Sequence, residues 1–133
     1  MSDSMSEGVS DGDETVLAAN RAFYDAFEAR DIGAMHAVWE RSDRVVCTHP
    51  GWQTLHAWEP VMRSWEGLFG GPQRLQFILT NEVVVRHGDT AWVTLDENLL
   101  ERGAGGTVAA LNLFVASGDR WLMVAHHGSS VLM

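Results

Sequence analysis

Tyr24, His49, the pair Asp96-Glu97, Asn112 and the pair His126-His127 are the side chains whose types suit proton chemistry, and each lies within or beside an apolar run. An imidazole titrates near neutrality and can take or give a proton. A carboxylate in an apolar surround is driven toward its protonated form. His49 stands in "CTHPGW", where an apolar run ends. Pro50 restricts His49 to an extended backbone and ends the strand, Gly51 permits a sharp turn, and Trp52 can fold back as a lid or wall. This spelling points to a histidine at the mouth of a pocket rather than to a plain strand end.

Whether these groups meet depends on strand register. Tight turns at "HGD", "GAGG" and "GD" separate four long strands at about residues 74–86, 90–102, 107–117 and 120–131. Counting outward from the turns puts Phe77, Leu79, Asn81, Val83 and Val85 on one face with Leu95, Glu97, Asn112, Phe114, Met123, Ala125 and His127. That face is mostly apolar, so it is expected to be the concave, covered one. On this register Glu97 falls opposite Asn112, with His127 one diagonal step away. The cluster has two readings: a self-satisfied polar network that fixes register, or convergent polar groups in an apolar cavity, the anatomy of a small-molecule site. A single β-bulge would reverse every side chain beyond it. Asp96-Glu97 and His126-His127 are insured against this, because adjacent strand residues take opposite faces; Asn112 is not.

The elements that must hold these residues are three helices and a meander. Val16, Leu17, Phe23, Tyr24 and Phe27 recur at helical spacing from about Thr15 to Arg30, with Asp13 or Thr15 as a possible cap. Asp31 opens a short helix carrying Met35, Val38 and Trp39. "RVVCT", residues 44–48, reads as a strand, and "WQTL" as a short one beside it. Pro60 lies near the start of a third helix with Val61, Met62, Trp65 and Leu68 on one face, stopped by "GGP" at residues 70–72. Helices followed by an antiparallel meander give an α+β class. Strands of this length twist and curl, and three short helices leave part of the bowl unfilled. Trp39, Trp65 and Trp121 read as core. The opposite sheet face is polar at Thr80, Glu82, Thr94, Asp96 and Asn98 but apolar at Ala109, Leu111, Leu113, Val115, Leu122 and Val124. A two-fold homodimer through this face is the expected cover.

Composition excludes several classes. The length and 46% hydrophobic content suit one globular domain. The first fifteen residues hold five of the 18 acidic residues and no Lys or Arg, leaving 13 acidic against 9 basic in the remainder. Residues 1–13 therefore read as a disordered acidic tail and 14–133 as the domain. Nothing forms a basic stripe, so nucleic acid is not an expected partner. No run approaches the roughly 20 apolar residues of a membrane span. The tail lacks the pattern of a signal peptide, and the lone Cys47, read as a small buried hydrophobe, suits a reducing cytoplasm. His49, His126 and His127 have no metal-ligand spacing, so no metal and no other cofactor is expected. His36, His56 and His87 read as solvated.

From about residue 14 to 131 the chain resembles the SnoaL-like branch of the nuclear transport factor 2-like superfamily, through "AFYDAFEARDIGAMHAVW", "CTHPGW", "AWEPVMRSWEGLF", "LNLFV" and "RWLMVAHHGSS". The resemblance implies a conical α+β barrel, a curved antiparallel sheet of five to six strands around three helices, with an internal cavity and commonly a dimer. Ketosteroid isomerases, polyketide cyclases, epoxide hydrolases and the calmodulin-dependent kinase association domain share that fold, so fold alone does not select a function. Where the isomerases place a carboxylate base before a proline, this chain has His49. Their helix-1 tyrosine aligns with Phe23, and Tyr24 is offset by about 100° of helix rotation. The expectation is an isomerase, cyclase or hydratase acting on a small apolar carbonyl or hydroxyl compound. His49, Glu97 and His127 would be catalytic, and Tyr24, Trp52, Trp65, Leu95, Asn112 and Phe114 would bind the ligand. The alternative is a non-catalytic binding or association module.

Overall fold

The computed structural model describes residues 11–100 and 105–132, with side chains from residue 13 onward. The acidic segment 1–10 and part of the "GAGG" turn lie outside the described residues. Helix α1 spans Asp11–Ala29. It begins four residues before the expected Thr15, so Asp13 and Thr15 lie within it rather than capping it. Helix α2 spans Ile32–Val38, and the Asp31 carboxylate caps it by accepting from Ala34 N–H at 3.1 Å. Strand β1 is Val46–Thr48 and β2 is Leu55–His56, both shorter than the runs that announce them. Helix α3 spans Trp58–Phe69 and ends at Gly70. The long strands follow: β3 Phe77–His87, β4 Thr90–Leu99, β5 Thr107–Ser117 and β6 Arg120–Ser130.

The six strands form one sheet in the order β2-β1-β6-β5-β4-β3. Hairpin neighbours run antiparallel, as the turn spacing requires, but β1 lies parallel to β6. The sheet is therefore mixed rather than wholly antiparallel, and it is curved without closing. A parallel pair needs a long crossover. Here that crossover is everything from β2 through β5, so the strand before His49 ends up beside the last strand of the chain.

Two bulges reset the register. In β3 it shifts between Thr80 and Val83, around Asn81, which takes a left-handed backbone (φ 58) that Asn tolerates better than most residues. Beyond it Val84 packs into the core while Val83 and Val85 face outward. The expected inward placement of Asn81, Val83 and Val85 is thus corrected. In β5–β6 the shift falls between Leu113 and Phe114, opposite Val124: Phe114 pairs with Met123 and Leu113 with Ala125. Val124 is buried at the bulge instead of extending the outer apolar strip.

The helices fill the concave side. Val16, Phe23 and Tyr24 of α1, Met35 of α2, and Val61, Met62 and Trp65 of α3 pack on Ala91, Val93, Leu95, Phe114 and Met123 of the sheet. Burying a large apolar side chain stabilises by roughly 1.5–3 kcal/mol, so this single core accounts for most of the driving force. Trp39 and Trp65 are in it, as read from sequence, and Trp121 packs at its edge.

Candidate functional site

The polar groups begin on α1. Asn20 and Tyr24 are four residues apart, hence on one face of the helix, and both are buried. The Tyr24 hydroxyl donates to Glu97 Oε2 at 2.5 Å. Asn112 Nδ2 donates to Asn20 Oδ1 at 2.8 Å and to the Tyr24 oxygen at 3.1 Å. Asn20 Nδ2 reaches Glu82 Oε2 at 3.3 Å, because the β3 bulge turns Glu82 toward α1. At the other end Asn112 Oδ1 meets His126 Nδ1 at 2.5 Å. Six side chains from one helix and four strands, β3 to β6, are thus joined, with Glu82 at the exposed end and the other five inside an apolar surround.

The pairs that bring them together are not those counted from the turns. Asn112 pairs with Val93 and with His126; Glu97 pairs with Val108. Glu97 and Asn112 still share the inner face, and Tyr24 bridges the gap between them. His127 is corrected outright. The β5–β6 bulge sends it to the outer face opposite Leu111, where it is exposed, and His126 takes the interior position with 2% exposure. Sequence reasoning missed His126 by one residue. It also missed Asn20 and Ser64, both legible as polar residues on otherwise apolar helix faces.

His49 occupies the other side of the cluster. The segment His49-Pro50-Gly51-Trp52 has the pattern of a type II turn: Trp52 N–H donates to the His49 carbonyl at 2.9 Å, and Gly51 has φ +83. The turn folds His49 inward to 4% exposure, so it is not a surface loop residue. Its ring stands edge-on between Trp52 and Trp65, each 4.7 Å away between centroids. Its Nε2 lies 2.9 Å from Ser64 Oγ and 3.7 Å from the buried Cys47 thiol. Trp65 in turn stands 6.1 Å from His126, and Phe23 packs against both. The aromatic wall therefore separates and links the two imidazoles.

Electrostatics follow from this enclosure. Burial pushes Glu97 up to about 7, against the opposing Tyr24 hydrogen bond. Burial, and then the Glu97 carboxylate, raise the Tyr24 hydroxyl far above its ordinary value. Burial lowers His49 to about 4. It lowers His126 to about 3, with His49 and His127 adding to the effect. Burial also pushes the Cys47 thiol up, so it is held as an unreactive thiol. Near neutral pH the site thus offers two neutral imidazoles and a carboxyl poised to exchange a proton.

Leu95 and Phe114 line the inner face beside the cluster, and Phe23, Trp65, Phe114 and Asn112 have no exposed surface. Trp52 is 46% exposed and covers His49 from the solvent side. A notch of about 150 Å³ between α1 and β3, lined by Arg21, Asp25, Glu28, Phe77 and Glu82, has Tyr24 in its wall. The larger cleft, about 510 Å³, lies elsewhere, between α1, α2 and the β5–β6 turn, and touches none of these groups. Chemistry rather than size marks the site. Among the described residues no cluster of three or more metal-ligating side chains occurs, and no helix is long and apolar enough to cross a membrane.

Comparison with known proteins supplies the lineage. The chain is 37% identical to a protein from Streptomyces avermitilis named a "putative dehydratase from the NTF2-like family"; the match covers 90% of this chain and 96% of that one with a TM-score of 0.83. It is 35% identical to a "putative calcium/calmodulin-dependent protein kinase type II association domain" from Thiobacillus denitrificans, over 89% and 96% of the two chains with a TM-score of 0.81. It is also 30% identical over 118 residues to the F-box protein SKIP8 of Arabidopsis thaliana, which covers 89% of this chain but half the length of that relative. The model of the SnoaL-like domain matches residues 16–133. The chain belongs to the SnoaL-like domain family, with the nuclear transport factor 2-like α+β cone fold.

Proposed function

We propose that the interior of the cone is a small-molecule site in which neutral imidazoles and the Tyr24–Glu97 pair move a proton on a small apolar oxygenated compound, as in a hydratase, dehydratase or isomerase. The observation that carries this reading is the buried chain Glu97–Tyr24–Asn112–His126 within an apolar surround. Buried polar groups are tolerated where they are paired, and convergent polar groups in an apolar surround are the usual make-up of such sites. His49 is the base candidate on the solvent side and His126 replaces His127 as the inner one. Trp52 is the gate, since the cluster is closed in this conformation. The likeness to a protein named as a dehydratase supports the class. The test is turnover of a panel of β-hydroxy ketones, followed by the ultraviolet absorbance of the enone formed when water leaves. His49→Ala and Glu97→Gln are each expected to lower the rate at least tenfold. A rate that neither substitution changes sinks the assignment.

A second reading rests on a different observation. The outer sheet face exposes Val83, Val85 and Leu111, an apolar strip that the β3 bulge enlarges. We infer that two copies associate through it, in line with the relative named an association domain. Light scattering should give a dimer that Leu111→Glu dissociates. A monomeric wild type removes this reading. The sole, buried Cys47 supports a reducing compartment such as the cytoplasm.

A further inference from the structure

We propose that Ser64 and Asn112 are positioning residues that fix His49 and His126 in opposite tautomers, and that the interior is thereby built for a neutral hydroxyl compound rather than an anion. The tautomers follow from counting protons. Ser64 Oγ lies 2.6 Å from the Val61 carbonyl, which has no proton to give, so the single hydroxyl proton points there. At 2.9 Å from His49 Nε2 the same oxygen can then only accept. His49 therefore carries its proton on Nε2, and Nδ1 holds the lone pair.

The other imidazole is set by a longer chain with a carboxyl group at each end. Glu82 can only accept from Asn20, so Asn20 turns its NH₂ to Glu82 and its oxygen to Asn112. The Tyr24 proton goes to Glu97, so the Tyr24 oxygen must accept from Asn112. Both protons of the Asn112 amide are thereby used, and its oxygen faces His126 Nδ1. His126 must donate from Nδ1, leaving the lone pair on Nε2. An Asn112 flip would set oxygen against oxygen at Asn20 and Tyr24, so the network admits one direction only.

The nitrogens engaged are His49 Nε2 and His126 Nδ1, so His49 Nδ1 and His126 Nε2 are the lone-pair nitrogens. Trp65, whose ring stands near both imidazoles, has a buried Nε1–H with no partner among the described residues. The two imidazoles thus present lone-pair nitrogens and Trp65 a buried N–H donor. A hydroxyl group both donates and accepts. A carboxylate cannot donate. The ligand class rests on the reading of the interior as a binding site; the tautomers do not.

Long-range ¹H–¹⁵N NMR of the ¹⁵N-labelled chain near neutral pH tests both parts. The expected pattern is pyridine-type Nδ1 with pyrrole-type Nε2 for His49, and the reverse for His126. The same tautomer at both sites, or a protonated ring at either, overturns the assignment whether or not any variant folds. Ser64→Ala should shift the two His49 nitrogens toward an exchange average, and Ser64→Thr should restore them; unchanged His49 signals in Ser64→Ala remove the role of Ser64. Phenol should then move the lone-pair nitrogens upfield while benzoate leaves them in place. A response to benzoate overturns the ligand class. Correct tautomers with no response to phenol would instead defeat the interior-site reading and leave the positioning roles standing.

Discussion

The inner and outer faces of β4–β6 each depart from the usual distribution at a few positions. The covered face holds Glu97, Asn112 and His126, while the open face shows Leu111 with Leu113, Val115 and Leu122 partly covered. The rest of each face keeps the ordinary pattern, apolar inside and polar outside, so these positions are the exceptions. What the difference teaches is where to look: departures from the pattern inside the bowl point to chemistry, and departures outside it point to contact with another surface.

The strongest way to break this comparison is to remove its inner anchor. Asn112→Ala leaves Asn20, Tyr24 and His126 without their shared partner and opens a void, which should cost on the order of 3–5 kcal/mol in urea unfolding. Leu111→Ala, one position away and 41% exposed, should cost within about 0.5 kcal/mol of nothing for the monomer. Equal losses at the two positions would show that the faces do not differ energetically.

A pH series sharpens the same contrast. His49 and His126 titrate at about 4 and about 3 when folded against an ordinary 6.5. The unfolded chain therefore binds their protons first, and their contribution is lost as pH falls below 6.5. Glu97 titrates at about 7 when folded against 4.5, so the folded chain binds that proton first. Its contribution grows as pH falls from 7 toward 4.5. Between about pH 6.5 and 4.5 two losses oppose one gain, and stability should drop by roughly 1.4 kcal/mol per pH unit. Glu97→Gln removes the opposing gain, so the drop should approach twice that slope. An unaltered slope would mean that Glu97 is not held in its raised state.

Much of this was legible in the chain. The three helices, the turn-bounded meander, the α+β class, the Asp31 cap and the inward carboxylate at Glu97 all follow from periodicity and turn chemistry. Register beyond a bulge does not, because one extra residue costs little in sequence and reverses every later side chain. Hence His127 was expected where His126 stands. The doubled histidine guaranteed an inward imidazole without saying which one. The parallel contact of β1 with β6 was equally invisible, since no local signal links residues so far apart.

The smallest expected effect lies at the boundary between the two faces. Trp52→Ala removes a 46% exposed ring, so the stability change should be slight, but hydration of His49 should raise its titration midpoint from about 4 toward 6.5 in an NMR titration. An unmoved midpoint would mean that Trp65 and Ser64 alone enclose the imidazole.

Strand β1 has only three residues and finds its partner far along the chain, Cys47 against His126. Loop-closure entropy makes so short and distant a pairing unfavourable until the hairpins of β3–β6 exist to receive it. Assembly therefore has an order: the meander can zip from its turns, and His49 docks beside His126 only after the final strand is in place. A nascent or C-terminally clipped chain without β6 would carry Tyr24, His49 and Glu97 but neither His126 nor the strand that receives β1, so the buried cluster exists in finished molecules alone.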